Sequence, residues 1–362
     1  MKIAFLHYTS GLIDRGSEIS TQTLASYLSQ GGHQVFVYQL GKASGEEDYQ
    51  VEQVSLLFSP KLGKSTSLIG KILARLYLDY NSLLVLAFSL KTIPSLIKNK
   101  PDLIIPTNGF WQVVISKIIK LFTRSKIIVI GRAGIGWHDR DNLRLGPDLF
   151  IGLTKKAALW AEKTNPKIKT NYLANPINRK NFLNRSKPVK IALKKPIILT
   201  VAALTAYKNI DKLIMACSKL KNTSLLVVGR GELEKKLNRM GKKYLKNRFL
   251  ITSFKHSQML AVYQKADVFA LISQEQEAFG RVFLEAMACG LPVVTTDTPS
   301  RREIIGPEGI FVESLAEKSL VKALKQALEK GKTQAMKKEA EKFDIIKIGP
   351  QYEKIFLEIV GQ

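Results

Sequence analysis

Short apolar runs of strand length alternate with helix-length segments along this chain, and the alternation occurs twice, on either side of a proline-containing stretch. The first series has apolar runs at 2–7, 33–39, 102–106, 126–130 and 149–153, with helix-like segments at 18–30, 113–122 and 155–163. The second has runs at 197–201, 224–228, 248–252, 268–272 and 292–296, with helix-like segments at 210–219, 233–240, 257–265 and 283–289. Strands joined by crossover helices pair in parallel, and a parallel sheet is covered by helices on both faces, so each series predicts a doubly wound α/β domain. Between them, residues 175–196 read NPINRKNFLNRSKPVKIALKKP, polar and with three prolines, which predicts an interdomain linker. Domains follow at 1–180 and 181–345, and a closing helix at 346–362, where Tyr352, Ile355, Phe356 and Ile359 recur at helical spacing. Ligands of such sheets lie beyond the carboxyl ends of the strands, so two sheets facing each other predict a cleft.

The 362 residues suffice for two cores, and 45% apolar content with a mean hydropathy of -0.02 excludes disordered, collagen-like and polytopic membrane chains. Two cysteines, Cys217 and Cys289, are too few for a disulfide framework and form no CxxC, which fits the reducing cytoplasm. The opening MKIAFLHYTSG has its apolar run broken by His7, unlike a secretory leader. The 56 Lys and Arg against 30 Asp and Glu leave a net charge of +26, which favours anionic partners: nucleic acid, anionic lipid or a phosphorylated substrate. The excess is spread, with 24 basic and 12 acidic residues in 1–180 and 32 and 18 in 181–362. No basic cluster is interleaved with aromatics, which speaks against nucleic acid.

Within 61–100, Leu68, Ile69, Ile72, Leu73, Leu76, Tyr80, Leu83, Leu84 and Ala87 fall at roughly helical spacing, with Lys64, Lys71 and Arg75 beside them. Lys71, Arg75 and Asp79 interrupt the apolar run well short of the roughly 20 residues a spanning helix needs. A core helix with a solvated basic face and an interfacial helix on an anionic membrane both fit this pattern. The second would put the protein on the inner face of the membrane.

The chemistry concentrates in residues 273–290, SQEQEAFGRVFLEAMACG, between two apolar runs. A helix beginning near Phe279 would leave Glu277 in the loop at its mouth and Glu285 about two turns inside. The backbone N–H groups of Gly280, Arg281 and Val282 would then favour a phosphate through both donors and helix dipole, with Gly280 permitting close approach.

This segment resembles the E-x7-E signature of retaining GT-B glycosyltransferases of the GT4 type, also called group 1. The match runs through Glu277-Ala278-Phe279-Gly280 and Leu284-Glu285-Ala286-Met287-Ala288-Cys289-Gly290-Leu291-Pro292-Val293-Val294. Gly16-Ser17-Glu18 is similar to the family's glycine-rich first loop, Asn175-Pro176 to its linker entry, Val227-Val228-Gly229-Arg230-Gly231 to its second-domain loop, and residues 263–273 to its Y-x2-ADVF strand. The resemblance implies a GT-B fold with an acceptor-side first domain, a nucleotide-sugar-binding second domain, and a last helix packing back on the first. It implies retaining transfer from a nucleotide-diphospho-sugar to a lipid-linked, polysaccharide or other glycan acceptor, usually without metal or a further cofactor. Glu277 would contact donor-sugar hydroxyls and Glu285 the nucleotide ribose. Lys208 matches the family lysine that steadies the departing diphosphate, a charge that develops as the anomeric bond breaks. The family's preceding arginine is absent, since Ala202-Ala203-Leu204 stands in its place, so Lys208 would carry more of the charge with help from Arg281 or Arg230. His138, in Gly131-Arg132-Ala133-Gly134-Ile135-Gly136-Trp137-His138-Asp139, would lie near the transferred sugar, and Gly16 would approach the diphosphate from the opposite wall. Enclosure by two walls would exclude water, which competes with transfer.

Each of these residues also has a plainer reading: Glu277 and Glu285 as solvated helix carboxylates, Lys208 as a surface lysine, His138 as a rim imidazole, Gly16 and Gly229-Arg230-Gly231 as turns. Asp139 and Asp141 form a D-x-D that reads as two loop aspartates rather than a metal site. Gly63-Lys64-Ser65 lacks the first glycine of a phosphate loop, because Phe58 occupies that position. No HExxH or GxSxG is present. Two rival functions remain, a nucleotide-sugar epimerase on the same fold and a non-enzymatic basic protein binding nucleic acid or lipid.

Overall fold

The computed structural model describes residues 1–58, 67–183, 186–274 and 279–362. The chain divides into two compact units, Met1–Pro176 with Ile345–Gln362, and Ile177–Asp344.

The N-terminal unit is built on seven strands: β1 Lys2–Leu6, β2 Gln34–Gln39, β3 Gln50–Gln53, β4 Leu103–Pro106, β5 Lys126–Gly131, β6 Leu149–Gly152 and β7 Lys169–Tyr172. They pair in the order β3-β2-β1-β4-β5-β6-β7, every pair parallel. Its first helices are α1 Gly16–Gln30, α2 Leu68–Arg75, α3 Tyr80–Asn99, α4 Phe110–Thr123, α5 Trp137–Arg144 and α6 Lys155–Thr164. The inner strands are apolar on both faces because helices cover both, and Ile3, Phe5, Ile104, Ile128 and Ile151 are buried.

The C-terminal unit opens with helix α7, Lys180–Leu183. Its strands are β8 Ile197–Val201, β9 Ser224–Val228, β10 Phe249–Thr252, β11 Val268–Leu271, β12 Val293–Thr296 and β13 Ile310–Val312, in the order β10-β9-β8-β11-β12-β13 and again all parallel. Helices α8 Ile210–Ser218, α9 Glu234–Leu245, α10 Met259–Lys265, α11 Arg281–Ala288, α12 Pro299–Ile305, α13 Glu317–Lys330 and α14 Gln334–Ala340 complete it. The last helix, α15 Ile345–Val360, returns to the N-terminal unit. It buries Tyr352 and Phe356, sets Gly349 against the ring of Tyr27 on α1, and pairs Glu353 with His33 at 2.7 Å.

Two expectations need correction. The 175–196 stretch is largely structure of the C-terminal unit rather than a free linker. Ile177, Phe182 and Ile191 are buried, Ile177 bridges to Asp344, and Arg179 pairs with Glu341 at 2.7 Å. A few well-spaced apolar residues suffice to fold a polar segment onto a core, and composition averages them away. The single helical pattern over 68–87 is in fact two helices, because Tyr77 takes a left-handed conformation (φ 58°) between α2 and α3. The stretch Leu68–Asn99 is long and apolar enough by composition to cross a membrane; within it α3 buries Leu84, Val85, Phe88 and Leu96 and leaves Leu83 and Leu90 exposed.

Candidate active site

In the C-terminal sheet the strand order reverses between β8 and β11, the point at which a doubly wound sheet opens a crevice at its carboxyl edge. The loops that leave these two strands are tied to each other. After β8 the chain makes a short 3-10 turn, Ala206–Lys208, and the carbonyl of Tyr207 accepts from the backbone N–H of Gln274 at 2.8 Å. Asn209, left-handed at φ 52°, donates its side-chain amide to the carbonyl of Ile272 at 2.9 Å. Lys208 is therefore held beside the segment that follows β11. It is 6% exposed, with its ammonium 4.8 Å from the ring centre of Tyr207, so the surface-lysine reading does not hold.

Arg301, on α12, is a residue that the sequence reading missed. Buried, it donates to Ser273 Oγ at 2.8 Å and to the carbonyl of Gln274 at 3.1 Å, clasping the loop that leads toward Glu277. Thr296 adds a hydroxyl bond to the carbonyl of Ser273 at 2.9 Å. In sequence, Thr298 and Pro299 signal only a helix start, and nothing local shows that Arg301 turns back to the loop that follows β11.

Glu277 itself, like Gly63-Lys64-Ser65, lies outside the described residues. The chain resumes at Phe279, which is buried with its ring edge-on to Phe343 at 5.9 Å, so this side chain serves the core rather than a ligand. Gly280 caps α11 at φ 83°, a conformation that glycine alone adopts without strain. Arg281 and Val282 form the first turn, whose N–H groups precede the helix's own hydrogen-bond ladder. Glu285 is the fifth residue of α11, little more than one turn inside rather than two. Its Oε1 accepts from Arg281 Nε at 3.1 Å and its Oε2 from the Tyr263 hydroxyl at 2.8 Å. Arg281 and Glu285 side chains are only 5% and 6% exposed. Burial holds the Arg281 guanidinium below its usual range and pushes the Tyr263 phenol well above its own. Arg281 thus acts as an ion-pair partner of Glu285 through its Nε. Each Glu285 oxygen retains a lone pair for a further hydroxyl donor.

Gly229 and Arg230 also take structural positions. A Cβ on Gly229 would stand 1.9 Å from the carbonyl oxygen of Ala202, because the loops after β8 and β9 run in backbone contact. Arg230, in the same loop, donates to Ser253 Oγ at 3.0 Å on an exposed surface.

The remaining candidates belong to the N-terminal unit. Gly16 opens α1 and its carbonyl accepts from Ser20 Oγ at 2.7 Å. The first turn already carries a buried carboxylate, Glu18, bonded by the hydroxyls of Thr9 (2.6 Å) and Ser17 (3.0 Å). Ser17 also meets His7 Nε2 at 3.1 Å, and burial, with the Arg132 charge adding to it, lowers the His7 imidazole to about 4 although Glu18 opposes the shift. His138, half-buried on α5, stacks on Trp137 with ring centres 3.6 Å apart and meets the Tyr77 ring edge-on at 6.1 Å. Asp139 and Asp141 are not loop aspartates: both are buried in α5. Burial raises the Asp139 carboxyl to about 7 against donors from Ala133, Asn142 and Gly134. Asp141 is held low by Arg75 and Tyr77, against its own burial. Among the described residues no group of three His, Cys, Asp or Glu side chains could hold a metal ion.

Residues 182–343, nearly the whole C-terminal unit, match the family described as Glycosyl transferases group 1. The C-terminal unit belongs to the group 1 glycosyltransferases. A curated relative from Campylobacter jejuni, N-acetylgalactosamine-N,N'-diacetylbacillosaminyl-diphospho-undecaprenol 4-alpha-N-acetylgalactosaminyltransferase, is 33% identical over 190 residues, covering 50% of this chain and 51% of the relative. The chain thus spans about half the length of that glycosyltransferase. Two solved structures extend the likeness to the whole chain. Sucrose-phosphate synthase of Thermosynechococcus elongatus superposes with a TM-score of 0.77 at 17% identity, covering 99% of each chain. Anabaena HepE in complex with UDP and glucose superposes with a TM-score of 0.75 at 18% identity, covering 99% of this chain and 100% of its own. At such identities the likeness concerns the fold, which is GT-B, with two parallel-sheet α/β units as the topology shows.

Proposed function

We propose that this protein is a retaining glycosyltransferase that moves a sugar from a nucleotide-diphospho-sugar to a lipid-linked, polysaccharide or other glycan acceptor. The observation that carries the reading is the tie between the Lys208 turn and the loop after β11, at the reversal point of the C-terminal sheet and directly before α11. Cleavage of the anomeric bond leaves charge on the diphosphate. A buried lysine and the first-turn N–H groups of Arg281 and Val282 are donors of the kind that such a leaving group requires. Glu277 holds the sugar hydroxyls and Glu285 the ribose, steadied by Arg281 and Tyr263. Gly16 is assigned to the diphosphate and His138 to the sugar. Because lysine and helix dipole supply the positive counterpart, we assign no metal and no further cofactor. The undecaprenol-linked substrate named for the Campylobacter relative supports a lipid-linked acceptor. Two free, buried cysteines accord with the cytoplasmic side of a membrane.

Thermal unfolding with UDP, GDP and ADP tests the donor site, since a ligand raises the midpoint only by binding the folded state. One of the three should stabilise the protein, and its sugar conjugate should be consumed only with an acceptor and equally well in EDTA. Stabilisation by none sinks the reading, and sugar interconversion without acceptor would favour an epimerase.

A further inference from the structure

Helix α2 is amphipathic the wrong way round. Leu68, Ile69, Ile72, Leu73 and Leu76 recur at i, i+1, i+4, i+5 and i+8, which at about 100° per residue gathers them into one sector. On a helix that packs against its own protein that sector is the buried one. Here Leu68 is 74%, Ile69 72% and Ile72 51% exposed, and no residue of α2 is buried. The less exposed positions are Gly70 and Ala74, on the opposite side.

The outward face is nonetheless held in place. Ser67 Oγ caps the helix by accepting from Gly70 N at 3.0 Å. At the other end Arg75 donates to Asp141 at 2.6 Å and lies 5.0 Å above the Trp137 ring. Tyr77 closes the turn, its hydroxyl on the same carboxylate at 3.0 Å and its ring stacked on Phe110 at 4.3 Å. The apolar sector is therefore presented, not loosely attached.

Charge decides what covers it. Lys71 is exposed beside the sector, and Arg75 and Arg144 share the single carboxylate of Asp141, so the surroundings carry excess positive charge like the chain as a whole. A second copy would bring +26 against +26, whereas an anionic bilayer brings apolar depth and the opposite charge together. Eight residues, roughly 12 Å of helix, lie in an interface and do not cross it.

We propose that α2 is a membrane-docking element that lays Leu68, Ile69, Ile72 and Leu76 into the interfacial layer of an anionic bilayer, with Lys71, Arg75 and Arg144 among the head groups. The inference deepens the lipid-linked acceptor reading and rests on it for its purpose, though its test needs no transfer.

The full chain is floated with vesicles of phosphatidylcholine alone or with roughly one-third phosphatidylglycerol, the range in which surface charge attracts basic segments. Binding to the anionic vesicles is expected, weakened by salt, and reduced about tenfold or more in the double variant Ile69→Gln/Ile72→Gln, in line with loss of buried apolar area. Both side chains are exposed, so the variant should fold, which an unchanged midpoint would verify. Equal flotation of variant and parent, equal binding to neutral vesicles, or self-association abolished by the same substitutions would each overturn the proposal. UDP, GDP and ADP stabilisation, measured alongside, reports the donor site independently, so failure of one reading is distinguishable from failure of the other.

Discussion

Helix α2 buries none of its eight residues, whereas α11 buries seven of its eight, and each is anchored by an arginine, a carboxylate and a tyrosine. In α11 the cluster is Arg281, Glu285 and Tyr263, closed off from water. At α2 it is Arg75, Asp141 and Tyr77, where the arginine side chain is 52% exposed and the carboxylate 9%. The same three groups perform different tasks. Inside the C-terminal unit the pair replaces solvent for two desolvated charges, and losing either one removes a buried counter-charge from the other. At α2 water shares in the solvation, so the ion pair sets direction more than stability.

Glu285→Ala should show the largest effect, about 3–5 kcal/mol of stability lost in denaturant unfolding, because it removes the carboxylate that faces the buried Arg281 guanidinium. A cost below roughly 1 kcal/mol would mean that water reaches Arg281 and that the two clusters are alike. Glu277→Gln, just ahead of α11, should retain the fold and lower transfer by about 10²–10³, the loss typical of a group acting at the transition state. Near-parental turnover removes Glu277 from the reaction. For Lys208→Ala, nucleotide-sugar affinity should fall by roughly tenfold to a hundredfold, measured by calorimetry, with acceptor affinity preserved. Unchanged donor binding would remove Lys208 from the proposed phosphate site.

His7 carries the comparison to a buried neutral group. Its imidazole titrates at about 4 when folded against 6.5 as the ordinary value, so the unfolded chain binds more protons between these limits. Stability should therefore rise with pH across that window and be lost as pH falls toward 4, by roughly 1–2 kcal/mol between pH 7 and 5. His7→Gln should flatten that slope, and an unaltered slope would assign it to other groups. The smallest effect is expected for Arg75→Ala, about 1 kcal/mol or less in unfolding, since the pair is half-solvated.

Legibility differed between the units for a physical reason. Strands buried on both faces leave long apolar runs, and β1, β2, β5, β8 and β9 stand close to where those runs are. The edge strands β3 and β7 and the three-residue β13 left no readable run, because β3 and β7 have no buried residue and β13 is too short. Gly280 and Glu285 were recognisable because residues 273–290 form one contiguous patterned segment, and Lys208 because residues 204–209 resemble the family's lysine loop. Arg301 was not, since its partners Ser273 and Gln274 are distant in sequence.

By itself the order of residues determined two parallel α/β units and placed a helix with a glycine at its mouth between two strands of the second, because burial period and loop chemistry are written locally. Only the tertiary structure decided that Arg281 is spent on Glu285, that the polar 175–196 stretch folds into the C-terminal unit, and that α2 turns its leucines and isoleucines outward. Periodicity records that one side of a helix is apolar. What covers that side depends on neighbours brought together from elsewhere in the chain, or from outside it.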